Sequence, residues 1–246
     1  MRNARQVFGA FDQGQIPDIA VFNQATTALG LDLDRFIVAM QRFVSEYVVP
    51  VWGTPARLVR TRGFKKGAWA FVFLDNADQA NALAYHELTP EGLPLSKVFV
   101  KTIADAGASL SVSATHELVE MLVDPAINLL SLGPDAKAAY AYESADPVED
   151  DALGFKVNGF LMTDFVYPSY FENFHKPGST KFDYRGKVTR PFQILRGGYQ
   201  SVFKNGRWTQ ITASRAKALA LAHEDRRQHR SEIRKMRPDR RRRSRP

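Results

Sequence analysis

The sequence predicts an α+β fold. A mixed sheet is followed by an active-site helix, then by a small β-rich C-terminal part and a basic tail. Three observations lead there. A helical run with apolar residues three and four apart precedes four strand-like segments. A second helix, carrying His and Glu, comes directly after those segments. Asn-Gly turns between apolar stretches then mark short hairpins.

Residues 32–49 read as the first helix. Leu33, Phe36, Ile37, Met40, Phe43, Val44 and Tyr47 recur at helical spacing, and Pro50 is expected to stop the run. Segments 56–61 and 68–74 read as strands separated by the turn-prone stretch 63–67. Residues 83–88 form a third strand, closed by Thr89-Pro90-Glu91-Gly92. The β-branched and aromatic stretch 97–103 forms a fourth. Small residues over 104–109 lead into a helix at 110–124. Pro125 should end it near Asp124, because proline disfavours α conformation in the residue before it. Residues 140–143 and 155–165 read as short strands, the latter around Asn158-Gly159. Residues 199–204 and 207–212 flank Asn205-Gly206, the strongest hairpin signal in the chain. A helical stretch from about 213 then runs into the arginine-rich residues 240–245. The organisation expected is therefore a metal-binding domain over 1–165, an aromatic and β-hairpin part over 166–213, and a basic helical or disordered tail over 214–246.

With 246 residues, 44% of them hydrophobic, the chain can bury a sizeable core. No window approaches 18 consecutive apolar residues, so no transmembrane helix and no membrane partner are expected. No apolar run follows the N-terminal residues, so no secretory signal is expected. Cysteine is absent, which removes disulfides, thiolate metal sites and cysteine nucleophiles, and fits a reducing compartment. The net charge of +8 is uneven: residues 214–246 carry 13 Lys and Arg against 4 Asp and Glu, leaving the rest nearly neutral. Within that neutral body, residues 116–151 hold nine carboxylates against Lys137 alone. Such a segment repels itself, so a metal ion or a basic segment from elsewhere is the natural counterpart.

The most informative stretch is Ser113-Ala-Thr-His116-Glu117-Leu-Val-Glu120-Met-Leu-Val-Asp124-Pro125. Residues four apart on a helix lie about 40° apart on one face. His116 and Glu120 can therefore grip one ion, with Asp124 a further turn along. Glu117, about 100° round, can meet a water from the side as general base. This is the logic of the H-E-x-x-H metallopeptidase helix, with Glu120 in place of the second histidine. Downstream, Glu143 and Asp146 are candidate third ligands. Alternatively, the helix presents a solvated acidic face and 143–151 forms a solvated or calcium-binding loop.

The order of helix, strands and His116-Glu117 helix is similar to the upper subdomain of zincin metallopeptidases, over about residues 30–165. That resemblance implies an edge strand along a substrate cleft, where Leu83-Ala-Tyr-His-Glu-Leu88 stands. It implies His116 and Glu120 as metal ligands, Glu117 as general base, and Glu143 or Asp146 as third ligand. The second helix histidine and the H-E-x-x-H-x-x-G-x-x-H extension are missing, and Met162 stands where a methionine turn would sit. The chain also resembles uncharacterised phage and prophage proteins with a similar helix. The expected activity is a metal-dependent, peptidase-like hydrolase acting on a peptide or protein. The alternative is a non-catalytic virion or assembly protein that binds phage structural proteins or DNA. The expected place is the bacterial cytoplasm or the virion. One imidazole with two carboxylates suits Zn2+, Mn2+ or Ca2+, or a site that has lost its ion.

His86, on the third strand, reads either as a structural histidine or as an oxyanion stabiliser or extra ligand. His175 reads as a surface-loop residue. Tyr167 and Tyr170 read as packing residues rather than groups that polarise a carbonyl. Phosphate-loop and dinucleotide fingerprints are absent. The basic tail reads as a non-specific nucleic-acid contact, a solubilising extension, or a cover for the acidic segment. Lacking aromatic residues, it is no single-strand reader.

Overall fold

The computed structural model describes residues 16–79 and 82–213, in an α+β arrangement. Its main sheet begins with β1 (Asp18–Asn23), which sequence patterning did not single out. Ile19 to Phe22 are all fully buried. A central parallel strand is covered on both faces and so reads as a continuous apolar run without alternation.

The helix α1 (Leu33–Phe43) starts where expected. The Asp32 side chain caps it by accepting from the Arg35 N–H at 3.1 Å. Pro50 does not stop the run. The chain passes through a π-helical turn (Val44–Val48) into the short helix α2 (Val49–Trp52), with Pro50 at its start. Proline is tolerated there because a missing N–H in the first turn leaves no helical bond unmade. The stop is Gly53, left-handed at φ 68°, whose N–H bonds the Val49 carbonyl at 2.9 Å.

The sheet continues with β2 (Arg57–Arg60), β3 (Trp69–Leu74), β4 (Ala84–Leu88) and β5 (Pro94–Phe99). The strand order is β2-β1-β3-β5-β4. All neighbours are parallel except the edge strand β4, which runs antiparallel to β5. The expected strand over 97–103 is corrected. β5 starts and ends earlier, and α3 (Val100–Asp105) takes the second half. Val100 and Ile103 are buried three residues apart, and Lys101 pairs with Asp105 at 2.6 Å across one turn. Helical spacing outweighs the β propensity of these residues.

The helix α4 (Leu110–Val123) is capped by Ser109, whose Oγ accepts from the Val112 N–H. It ends at Asp124, outside helical geometry at φ −128°, as Pro125 requires. Of its 14 residues, 12 are buried, so α4 lies inside the protein rather than offering a solvated acidic face. It packs against β4, β5 and a later strand.

Beyond α4, β6 (Leu130–Leu132) and β7 (Ala139–Ala141) form a hairpin. Then β8 (Phe155–Val157) and β9 (Phe160–Met162) pair through Asn158 and Gly159, both at positive φ. Finally β10 (Tyr199–Lys204) and β11 (Arg207–Thr212) pair through Asn205 and Gly206, also at positive φ. The second sheet has the order β11-β10-β7-β6, which joins the C-terminal hairpin to β7. The main core lies between the sheet and the helices α1 and α4, and includes Phe155 and Phe165. A satellite core gathers Val148, Val166, Tyr170, Phe171, Phe182 and Val188. Among the described residues no helix is long and apolar enough to cross a membrane. The basic tail over 214–246 lies outside the described residues.

Candidate metal centre

Strand alternation brings β4 into the site. Ala84 packs in the main core, whereas Tyr85 packs on the other side of the sheet with Phe99. His86 therefore shares the Ala84 face, toward α4. There His86 Nδ1 lies 3.2 Å from Glu117 Oε2. The sequence left His86 as a partly buried structural residue or as an oxyanion stabiliser or extra ligand in a cleft, and the structure buries it. What the sequence missed is that this histidine meets the helix carboxylates directly.

On α4, His116 and Glu120 lie one turn apart as expected, with His116 Nε2 3.4 Å from Glu120 Oε1. The downstream segment delivers Asp146, whose Oδ1 is 3.2 Å from His116 Nε2. Glu120 Oε1 also accepts from the N–H groups of Ala145 and Asp146, at 3.1 and 3.2 Å, which ties that segment to the helix. Behind it, Leu195 N–H bonds the Pro147 carbonyl, and Gly198 lies so close that a Cβ would run into that carbonyl. Glu143 approaches from the other side, its Oε2 3.9 Å from His86 Nε2.

The donors form three overlapping triads, each with ligand atoms within 4.8 Å of one another. These are His86, Glu120 and Glu143; His116, Glu117 and Glu120; and His116, Asp146 and Glu149. Glu149 belongs to the acidic run noted in the sequence but was not chosen as a ligand. A tetrahedral ion with bonds of about 2.1 Å holds its ligands about 3.4 Å apart. The distances from His116 to Glu120 and Asp146 match that spacing. His86 Nε2 is buried without a hydrogen-bond partner, an orphan donor or acceptor that an ion would satisfy. The residues therefore fit a divalent cation.

Burial is nearly complete: His86 and Glu143 are each 8% exposed, His116 6%, Glu117 3%, Glu120 1% and Asp146 0%. Glu149 is half-buried. Desolvation by itself would lower the pKa of His86. The Glu117 hydrogen bond and the charges of Glu143, Glu117 and Glu120 overcome it and raise it to about 9. His116 is likewise raised well above its ordinary value, desolvation being outweighed by the charge of Glu120 and the bond to Asp146. Glu120 is pushed up by burial and then by the charge of Asp146. These shifts describe a pocket of negative potential, in which protons occupy the imidazoles when no cation does.

Other residues fall outside the centre. Asp124 closes the turn after α4, its two oxygens accepting from the N–H groups of Asn128 and Leu129 at 2.9 and 3.0 Å. Met162 is fully buried on β9, which packs against α4. The next residue, Thr163, donates its N–H to Thr115 Oγ1 at 2.9 Å. Tyr170 is a core residue, and Tyr167 lies under the Lys181 ammonium. His175, half-buried, pairs with Glu172 at 2.7 Å. A separate buried pair, Asp164 and Asp183, receives backbone N–H groups from Phe165, Arg185, Lys187 and Val188. No protein-family model, no curated protein and no solved structure matches this chain.

Proposed function

We propose that the chain is a metal-dependent hydrolase of the peptidase type. Its divalent cation, Zn2+ or Mn2+, would be held by His116, Glu120 and Asp146, with Glu117 as general base. The observation that carries this reading is that His116 Nε2 lies 3.4 Å from Glu120 and 3.2 Å from Asp146, beside Glu117, in a nearly dry setting. Two features of the fold support the zincin-like comparison: an antiparallel edge strand bordering the helix, and a buried helix bearing H-E-x-x-E.

The bound cation would supply Lewis acidity, polarising an amide carbonyl and acidifying a water. The protein's own groups do the rest. Glu117 takes the proton of the attacking water and returns it to the leaving amine. His86 fixes the Glu117 carboxylate by bonding Oε2, so the base is aimed before substrate arrives. Glu120 is fixed in turn by the Ala145 and Asp146 amides, the outer support that orients a ligating carboxylate.

The test is metal content by mass spectrometry on protein purified without chelator, followed by a peptide-library cleavage screen. Near-stoichiometric zinc or manganese, lost in His116→Ala and Asp146→Ala, with cleavage abolished by Glu117→Gln, is the expected result. Metal-free protein, unchanged in stability by those substitutions, would overturn the proposal. A second reading is favoured by the burial of Glu117 against His86: the ion is structural, and the scaffold serves as a non-catalytic assembly protein. Stoichiometric metal with no cleavage of any peptide would select it.

A further inference from the structure

The donors around α4 exceed what one ion needs, and they divide in an ordered way. One triad, His116, Asp146 and Glu149, shares no residue with another, His86, Glu120 and Glu143. Each holds one imidazole and two carboxylates. Two donors of a single ion with bonds near 2.4 Å can be at most about 4.8 Å apart, when they lie opposite each other. No triad within that reach contains both histidines.

Glu120 stands at the junction. Its Oε1 lies 3.4 Å from His116 Nε2, while its Oε2 lies 3.9 Å from His86 Nδ1. The two triads that contain His116 and His86 therefore abut at Glu120. The orphaned His86 Nε2, 92% of the residue being buried, is aimed at Glu143 Oε2 across 3.9 Å. That gap is too long for a hydrogen bond and within reach of two ligands of a common ion.

We infer that this cluster is a dinuclear centre for divalent transition-metal ions. One ion sits on His116, Asp146 and Glu149, the other on His86, Glu120 and Glu143. An imidazole in each half favours Mn2+ or Zn2+ over the all-oxygen ligation of Ca2+ or Mg2+. Two such ions would supply Lewis acidity to both the attacking and the leaving group of a hydrolysed bond. The inference rests on the metal centre proposed above and divides its donors between two ions.

The experiment is Mn2+ titration of the metal-stripped full-length chain, read by equilibrium dialysis and by electron paramagnetic resonance. Two equivalents bound, with the spin-coupled signal of a close manganese pair, are expected for the unaltered chain and for Asp164→Asn. His86→Gln and Glu143→Gln, made separately in case one fails to fold, should each retain one equivalent and lose the coupling. One equivalent in the unaltered chain, unchanged by either substitution, overturns the pair while leaving the single-ion reading standing. Two equivalents without coupling place the ions apart and overturn the pair. No binding at all overturns both.

Discussion

His86 on the edge strand and Glu117 on the buried helix meet at 3.2 Å, 31 residues apart in sequence and both nearly without solvent. A buried pair of this kind contributes little net stability against apolar isosteres, but breaking one side leaves a stranded group, at a cost of about 3–5 kcal/mol. His86→Phe and Glu117→Gln should each destabilise the metal-free protein by about that range. The double variant should cost clearly less than their sum, with a coupling of about 1–3 kcal/mol in urea unfolding. Additive losses would mean that the two groups do not act as a pair.

Thr115 links α4 to the strand beside it. Its hydroxyl is fully buried, donates to the Ser111 carbonyl at 2.8 Å and accepts from the Thr163 N–H at 2.9 Å. Thr115→Val keeps the shape and strands that N–H, so a loss of about 1–3 kcal/mol is expected. Thr115→Ser should retain most of the stability. Equal losses in the two variants, measured by denaturant midpoint, would show that the missing methyl matters rather than the bond.

Gly198 positions Asp146 from behind. A Cβ there meets the Pro147 carbonyl, a backbone atom that cannot swing aside. Gly198→Ala should therefore cost about 1–3 kcal/mol through overpacking and displace the turn that carries Asp146. Metal affinity should fall by at least tenfold while Gly206→Ala, in the exposed hairpin turn, leaves it unchanged. Unaltered affinity in Gly198→Ala would detach Asp146 from the centre.

The Asp164–Asp183 pair gives the folded state a pH dependence of identifiable sign. Burial first, then the charge of Asp183, pushes Asp164 up to about 8 from an ordinary value of 3.8. The folded state thus holds a proton that the unfolded chain has released, so this contribution is present below about pH 4 and is lost as pH rises toward 8. His86, raised to about 9, acts in the same direction at higher pH. Asp164→Asn should flatten the decline in urea midpoint between pH 5 and 7.5. An unchanged slope would assign the decline to other groups.

Cation binding to the folded state alone stabilises it by mass action, by about 2.7 kcal/mol at a hundredfold excess over Kd. Mn2+ or Zn2+ at that excess should raise the unfolding midpoint, a chelator should reverse the shift, and His116→Ala should abolish it. A midpoint indifferent to both additions would argue against a cation in the buried cluster.

Much of this architecture was legible where one element sets its own pattern. The α4 spacing placed His116, Glu117 and Glu120, Pro125 gave the helix end, and both Asn-Gly hairpins formed as read. What escaped depended on tertiary context. β1 has no alternation because both of its faces are covered, and the end of α1 depended on a π-helical turn that lets Pro50 pass. Val100 and Ile103 carry strand-like side chains but follow helical spacing. At the site, Asp146 and Glu143 were legible as acidic neighbours, while the pairing of His86 with Glu117 was not. Alternation on β4 puts Ala84 and His86 on one face, but the sequence does not say which face meets the helix. Asp124 shares the helix register of the site residues and is used instead to close a turn.

The donors come from an edge strand, a helix and a later turn, and span residues 86 to 149. Nothing shorter than that span contains the whole set, and α4 by itself offers only His116, Glu117 and Glu120. During synthesis, capture of a cation by the full set must therefore wait until the turn after β7 has left the ribosome. Under the proposed metal centre, a shortage of the ion would therefore be felt only at the last stage of maturation, after the sheet and α4 have been made.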